Sequence, residues 1–348
     1  MKLVTFELKT HAGAVERLGA LLGGRIVDLN AAYALLLARG KKPEPYRLAD
    51  TLVPSDMLRF LDMGEDGLEE ARQALQFVHE GSRKFGDDLA GPRGEKIAYK
   101  EDEVSLLAPL PRPPALRDFF AFEEHALQGA KRRNEALNPA WYEQPVYYKG
   151  NHREIYGPGA TVPWPSYTRK LDFELELACV VGRKGRDLSP KEAGAHIAGY
   201  TILNDWSARD IQKNEMVCRM GPAKAKDFAT GLGPYLLTAD ELPDPDNLRM
   251  SVTVNGELWS EGNSSSRYWK FGQMLSHVSQ AETVYPGDLL GSGTYFKGCG
   301  LDLDRWLKPG DVVEMEVEKL GKLRQTAGEP KAQAQLKYEK PKAAGARR

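Results

Sequence analysis

Residues 170–212, KLDFELELACVVGRKGRDLSPKEAGAHIAGYTILNDWSARDIQ, constrain this chain more than any other stretch. They open with the alternation Phe173-Glu174-Leu175-Glu176-Leu177, which runs into the apolar Ala178-Cys179-Val180-Val181. That pattern predicts a strand, and residues two apart on a strand leave the same face. Glu174 and Glu176 therefore stand side by side, about 7 Å apart by strand rise. A second β-like run over residues 199–203 is closed by Asn204-Asp205, and residues 206–210 start a helix or a tight turn. Two readings of the glutamates stay open. Strand periodicity alone favours an exposed, solvated face. Alternatively, a divalent cation lies between them, which lets like charges tolerate each other. Carboxylates without His or Cys partners select Mg²⁺, Ca²⁺ or Mn²⁺ over zinc, and Asp205 is placed to complete such a set.

Composition narrows the class. A chain of 348 residues is long enough for two domains or one large one with appendages. Its formal net charge of −1 removes the electrostatic argument for binding nucleic acid or a membrane surface. Cys179, Cys218 and Cys299 are too few and too scattered for a disulfide framework or a zinc pattern, which fits a reducing compartment. Residues 1–20 lack the apolar core of a signal peptide, and no run approaches the roughly 20 apolar residues of a membrane span. The expected location is cytoplasmic.

Residues 1–106 read as a small mixed α/β domain. A strand is expected over 1–7, a hairpin around Gly23-Gly24, and helices over 30–38, 51–61 and 68–80, the first with Asn30 in the cap position. The connector over 107–114 is proline-rich and marks a domain junction. Beyond it, Asp118-Phe119-Phe120-Ala121-Phe122-Glu123-Glu124-His125 packs acids, an imidazole and aromatics into eight residues. Spacing alone reads this as an amphipathic helix with Phe119 and Phe122 inward. A loop-rich segment at about 119–151 follows, a lid over an anionic substrate or a surface excursion. Asn255-Gly256 signals a hairpin, residues 268–278 a helix, and two Pro-Gly-Asp turns head further β-segments at 289 and 312. His11, His79 and His277 read as surface or packing residues. Residues 325–348, polar and without periodicity, read as a disordered tail.

Six segments, DFFAFEEHA, YYKGN, DFELELACVVG, GYTILNDWSARDIQ, KAKDFATGLGP and PGDLLGSGT, occur in an order and spacing that resembles the fumarylacetoacetate hydrolase superfamily over about residues 105–320. RLGALLGGRIVDLN is similar to the small N-terminal domain of its longer members. The resemblance implies an α+β fold with a mixed β-roll body over 107–324, and a homodimer. It implies metal ligands at Asp118, Glu174, Glu176 and Asp205, holding Mg²⁺ with Ca²⁺ or Mn²⁺ as alternatives. His125 corresponds to the family's base and Lys226 to a catalytic lysine, with Thr230 near the metal. Arg209, Gln212, Thr294 and Tyr148 match substrate contacts, and Arg132 or Arg133 is expected to hold a substrate carboxylate.

Family substrates carry a 1,3-dicarbonyl unit. The expected reaction is hydrolysis of a carbon–carbon bond in fumarylacetoacetate or an acylpyruvate, with His125 activating water and the cation stabilising an enolate leaving group. One departure bears on it. Some smaller members place the base's carboxylate partner three residues after the His, where this chain has Gln128. A late β-segment supplies it in longer hydrolases, which makes Glu314 the candidate; Glu123 and Glu124 point elsewhere on a helix. The alternative activity is decarboxylation of oxaloacetate, or isomerisation or hydration of related oxo acids, at the same metal–enolate site. A non-enzymatic ligand-binding member is the third reading.

Overall fold

The computed structural model describes residues 1–11, 13–85 and 89–331. The protein is α+β, dominated by a twelve-stranded mixed sheet and a five-stranded one. The elements that position the site are, in chain order, β1 (Lys2–Thr10), β2 (Gly13–Leu22), β3 (Arg25–Asp28), α1 (Leu29–Arg39) and α2 (Gly64–Phe85). Then come β4 (Leu116–Phe119), α3 (Glu123–Arg132), β5 (Tyr147–Lys149), β6 (Thr161–Trp164), β7 (Leu175–Val181), β8 (Ile197–Asn204), α4 (Arg209–Val217) and β9 (Thr230–Thr238). β10 (Arg249–Val254), β11 (Glu257–Asn263), α5 (Phe271–Ser279), β12 (Leu289–Gly291), β13 (Val312–Val317) and β14 (Gly321–Pro330) complete the set.

In the large sheet the order runs β3-β2-β1-β9-β8-β7-β12-β4-β5. The first 106 residues thus share a sheet with the rest of the chain, through β1 on β9. The small sheet runs β11-β10-β13-β14-β6. Strand alternation divides the core in two. Leu175, Leu177, Cys179 and Val181 join Val252, Met315 and Leu323 of the small sheet in one cluster. Ala178 and Val180 face the other way, into a cluster with Leu29, Ala32 and Leu35 of α1. A strand buried on both faces reads as a near-continuous apolar run, as residues 177–181 do.

Several local expectations shift. α1 is capped by Asp28, whose carboxylate accepts from Ala31 N at 3.1 Å, because β3 runs straight into the helix. Asn30 is instead buried, donating to Asp50 and to the Val53 carbonyl. The helix expected over 51–61 is two, Pro45–Leu52 and Met57–Asp62. Pro54, lacking an N–H, lies in the break between them. Asp118 lies on a strand, with α3 starting only at Glu123, although Phe119 and Phe122 are both buried as expected. Asn255 and Gly256, with φ of 52° and 81°, form the expected hairpin turn.

The expected tail begins inside β14. Its residues 323, 325 and 327 alternate inward, and both of its edges are paired, to β13 and to β6. Residues 332–348 lie outside the described residues. Among the described residues no helix is long and apolar enough to cross a membrane. Gln325 is almost completely buried. Its oxygen accepts from Trp206 Nε1 at 2.9 Å and Asn204 Nδ2 at 3.3 Å, and its nitrogen donates to the Tyr156 and Gly157 carbonyls. Gln325→Ala leaves buried donors and acceptors without partners, each costing about 1–3 kcal/mol. Chemical denaturation should show a loss of about 2–4 kcal/mol for Gln325→Ala, whereas exposed Glu329→Ala should stay within about 0.5 kcal/mol of wild type.

Candidate active site

Four adjacent strands of the large sheet, β4-β12-β7-β8, carry the acidic cluster. On β7, Glu176 shares the face of Ala178 and Val180 by the two-residue period. Asp118 shares the face of Leu116 on β4, and Asp205 follows the end of β8 two residues beyond Leu203. All three therefore emerge on one side of the sheet. Between β4 and β7 stands Gly291, paired with both Asp118 and Ala178. A Cβ there would lie 2.5 Å from Asp118 Oδ1 and 3.0 Å from Glu176 Oε2, so a side chain is excluded by the carboxylates leaning across.

Asp118, Glu176 and Asp205 are buried, and one oxygen from each lies within 4.8 Å of the others. Gly293 N donates to Glu176 Oε2 at 2.7 Å, while Glu176 Oε1 is buried with no hydrogen-bond partner. Burial, then Asp118 and Asp205, push the Glu176 carboxyl well above its ordinary range. Asp205 is also pushed well above, by burial first, with Lys226 opposing and Asp118 and Glu174 adding. Asp118 is raised by burial against the pull of Glu176 and Lys226. Three buried carboxylates this close, one with an orphaned oxygen, fit a divalent cation, and an all-oxygen set fits a hard one.

Glu174 has a different environment. It sits one residue before β7 and is 7% exposed, which overturns the solvated-face reading. Its carboxylate accepts from Arg209 Nη2 at 2.7 Å and Lys226 Nζ at 2.8 Å. Burial alone would raise it, but Arg209 and then Lys226 outweigh burial and hold it well below the usual range. Lys226 Nζ also bonds Asp205, and the two acids keep the buried ammonium charged against desolvation. Of the four expected ligands, three converge and the fourth is paired with cations beside them.

Arg209 donates to Asp172 Oδ2 at 2.7 Å and to Gln212 Oε1 at 2.9 Å as well as to Glu174. Asp172, absent from the sequence reading, also accepts from the backbone N–H groups of Gly300 and Leu301 at 2.8 and 2.9 Å. Thr294 Oγ1 is turned to the Leu175 carbonyl, and Thr230 is buried at the start of β9. Tyr148 hydroxyl donates to Asp205 Oδ1 at 2.9 Å. Burial, then Asp205, Asp118 and Glu176, raise its pKa well above the ordinary value, so it stays protonated.

His125, on the first turn of α3, meets Asp302 across 177 positions, Nδ1 to Oδ2 at 2.8 Å. The edge-on ring of Phe120 packs against the imidazole at 5.3 Å. Asp302 is the partner, and Glu314 is not: it lies on β13 in the small sheet, paired with Lys322. Arg132 donates to Asp302 Oδ1 at 2.7 Å and to the Leu301 carbonyl, so its guanidinium supports the pair. Arg133 is turned away from the pair, bonding exposed Glu135 at 2.9 Å. Nothing local could have found Asp302. It lies on the four-residue helix Gly300–Leu303, whose position depends on Asp172.

Comparison with known proteins gives a consistent result. The family profile described as fumarylacetoacetate (FAA) hydrolase C-terminal matches residues 115–327. Human mitochondrial oxaloacetate tautomerase FAHD2A is 31% identical over 323 residues, covering 92% of this chain and 90% of the relative. The solved fumarylacetoacetate hydrolase of Exiguobacterium antarcticum superposes with a TM-score of 0.65 at 23% identity, covering 94% of this chain and 99% of that one. Maleylpyruvate hydrolase of Sphingobium sp. SYK-6, solved in complex with manganese(II) and pyruvate, superposes with a TM-score of 0.65 at 21% identity, covering 94% and 100%.

The Asp302 carboxyl is held at about 2, below its ordinary 3.8, since burial, which raises it, is outweighed by His125 and Arg132. Between those values the unfolded chain binds more protons, so the stabilisation is present above about pH 4 and lost as pH falls toward 2. Denaturation compared at pH 5 and pH 3 should show Asp302→Asn losing about 1 kcal/mol less than wild type over that interval.

Proposed function

The chain belongs to the fumarylacetoacetate hydrolase family, and we propose that it is a metal-dependent enzyme interconverting the enol and keto forms of a short 2-oxo acid, with oxaloacetate the leading substrate. The observation that carries this is the His125–Asp302 pair beside the buried carboxylate cluster. The 31% identity to an oxaloacetate tautomerase along nearly the whole chain supports the choice of substrate. Asp118, Glu176 and Asp205 would hold the cation, with Glu174 adjoining, and Mg²⁺ or Mn²⁺ suits the oxygen donors, as Ca²⁺ does. When bound, the cation supplies Lewis acidity that favours negative charge on the substrate's enol oxygen.

The protein's own groups then account for the proton movement. Asp302 fixes the orientation of the imidazole and favours the tautomer with the proton on Nδ1, leaving Nε2 to exchange a proton with the substrate carbon between the two carbonyl groups. Tyr148, kept protonated, donates a hydrogen bond on the carboxylate side, and Lys226 contributes a fixed positive charge. In the ketonisation direction the carbon gains one proton and the enol hydroxyl gives one up, so the groups return to their starting state. Hydrolysis of an acylpyruvate is the second reading, favoured by the same pair, because an oriented imidazole also activates water.

The test follows loss of enol absorbance after adding the enol form of oxaloacetate, with Mg²⁺ or Mn²⁺ and with EDTA, while pyruvate is assayed in parallel. Metal-dependent acceleration without pyruvate supports tautomerisation; pyruvate release moves the reading to decarboxylation. Cleavage of acetylpyruvate with no effect on oxaloacetate moves it to hydrolysis. No acceleration of any of these sinks the proposal. His125→Ala and Asp302→Asn should each lower the rate on the order of 10²–10⁴-fold, and Glu314→Gln should leave it unchanged.

A further inference from the structure

His125 and Asp302 have a neighbour that the proposed reaction does not use. Cys299 is fully buried immediately before the Gly300–Leu303 helix. One donor atom from each of His125, Cys299 and Asp302 lies within 4.8 Å of the others. We propose that these three side chains form a second metal site, selective for a soft or borderline divalent cation such as Zn²⁺, whose occupation takes the His125 imidazole out of action.

The donor chemistry separates this group from the carboxylate cluster. Asp118, Glu176 and Asp205 offer oxygen alone, which suits hard cations that keep water in their shell. Imidazole nitrogen, thiolate sulfur and one carboxylate oxygen are the donors zinc takes, and thiolate discriminates strongly against Mg²⁺. Three protein ligands with a fourth position left to water is a common zinc arrangement. With ligand bonds of about 2.0–2.3 Å, the three donors need only small side-chain movements to close on one ion.

The backbone around the thiol is already clamped. Cys299 bridges Glu174, and Leu175 N donates to the Gly298 carbonyl at 3.0 Å. On its other side Gly300 N and Leu301 N are held by Asp172. Arg132 takes Asp302 Oδ1, so that carboxylate is fixed in orientation before any ion arrives. On binding, Zn²⁺ replaces the thiol proton, which passes to solvent. The thiolate and the Asp302 carboxylate then balance the two positive charges of the ion. An imidazole nitrogen committed to the ion, or an Asp302 oxygen withdrawn from Nδ1, no longer serves proton transfer. Inhibition rests on His125 being the base; binding rests on geometry alone.

The experiment treats the two separately. Co²⁺ is titrated into metal-free full-length protein, and the near-ultraviolet thiolate-to-cobalt charge-transfer band is recorded for wild type, Cys299→Ser and Cys218→Ser. The expected result is a saturable band in wild type and in Cys218→Ser that is missing from Cys299→Ser. In parallel, Zn²⁺ inhibition of the Mg²⁺-supported rate is measured as a fraction of each variant's own uninhibited rate. Half-inhibition should require on the order of 100-fold more Zn²⁺, or still higher levels, in Cys299→Ser, since even outer-shell changes cost up to about 100-fold in affinity. A band that survives in Cys299→Ser, or none in wild type, overturns the site. Equal Zn²⁺ sensitivity in both proteins overturns the inhibitory role and assigns the effect to the carboxylates. An inactive protein that still shows the Cys299-dependent band retains the site and refutes only the catalytic reading.

Discussion

Asp172, Arg209, Glu174, Lys226 and Asp205 form a chain of alternating charge through the interior. None of these groups is well placed alone, because an unpaired buried charge costs several kcal/mol. Together each anion has a cation and each cation has two anions. The chain fixes where everything else sits. Its Asp172 end holds the backbone that leads to Asp302, and its Asp205 end enters the carboxylate trio. The two halves of the candidate site, the base pair and the acidic cluster, are thus joined by one electrostatic ladder.

That ladder also explains why the acidic trio is left with its charge unresolved. Arg209 and Lys226 are committed to Glu174, Asp172 and Asp205, so Glu176 and Asp118 share the one N–H of Gly293. A protein gains nothing in stability by burying three carboxylates this way, and carboxyl groups so perturbed cluster at functional sites. The glycines at 291 and 293 belong to the same design. One leaves the space the carboxylates lean into, and the other, at φ of 75°, turns its N–H toward Glu176.

The second half of the site is organised around sharing. Asp302 serves His125, Arg132 and the Lys297 amide at once. Arg132, one of two arginines that resemblance offers for a substrate carboxylate, is thereby committed to the His125–Asp302 pair. Proton transfer at carbon needs an oriented imidazole and a place for negative charge on oxygen, and the two halves offer one each.

What the sequence determined by itself is the local and the periodic. The alternation at 173–177 placed the side chains of β7, and the Asn-Gly and Pro-Gly-Asp turns placed the hairpin and strand starts, whereas the acids at 118, 174, 176 and 205 were grouped only by the resemblance, and three of them converge. Distinctive strings such as NDWSARDIQ pointed to the family over the segment its profile matches. What only the tertiary structure decided is partnership. Asp302 meets His125, Asp172 meets Arg209, and Gln325 accepts from the Trp206 indole through contacts spanning 37 to 177 positions. A carboxylate on a short helix or an amide on a polar strand has no periodic signature, and its role is set by which backbone a distant charge has already fixed. Asp118, His125, Glu176, Asp205 and Arg209 were therefore candidates from the sequence, while Asp302 and Asp172, the partners of His125 and Arg209, were not.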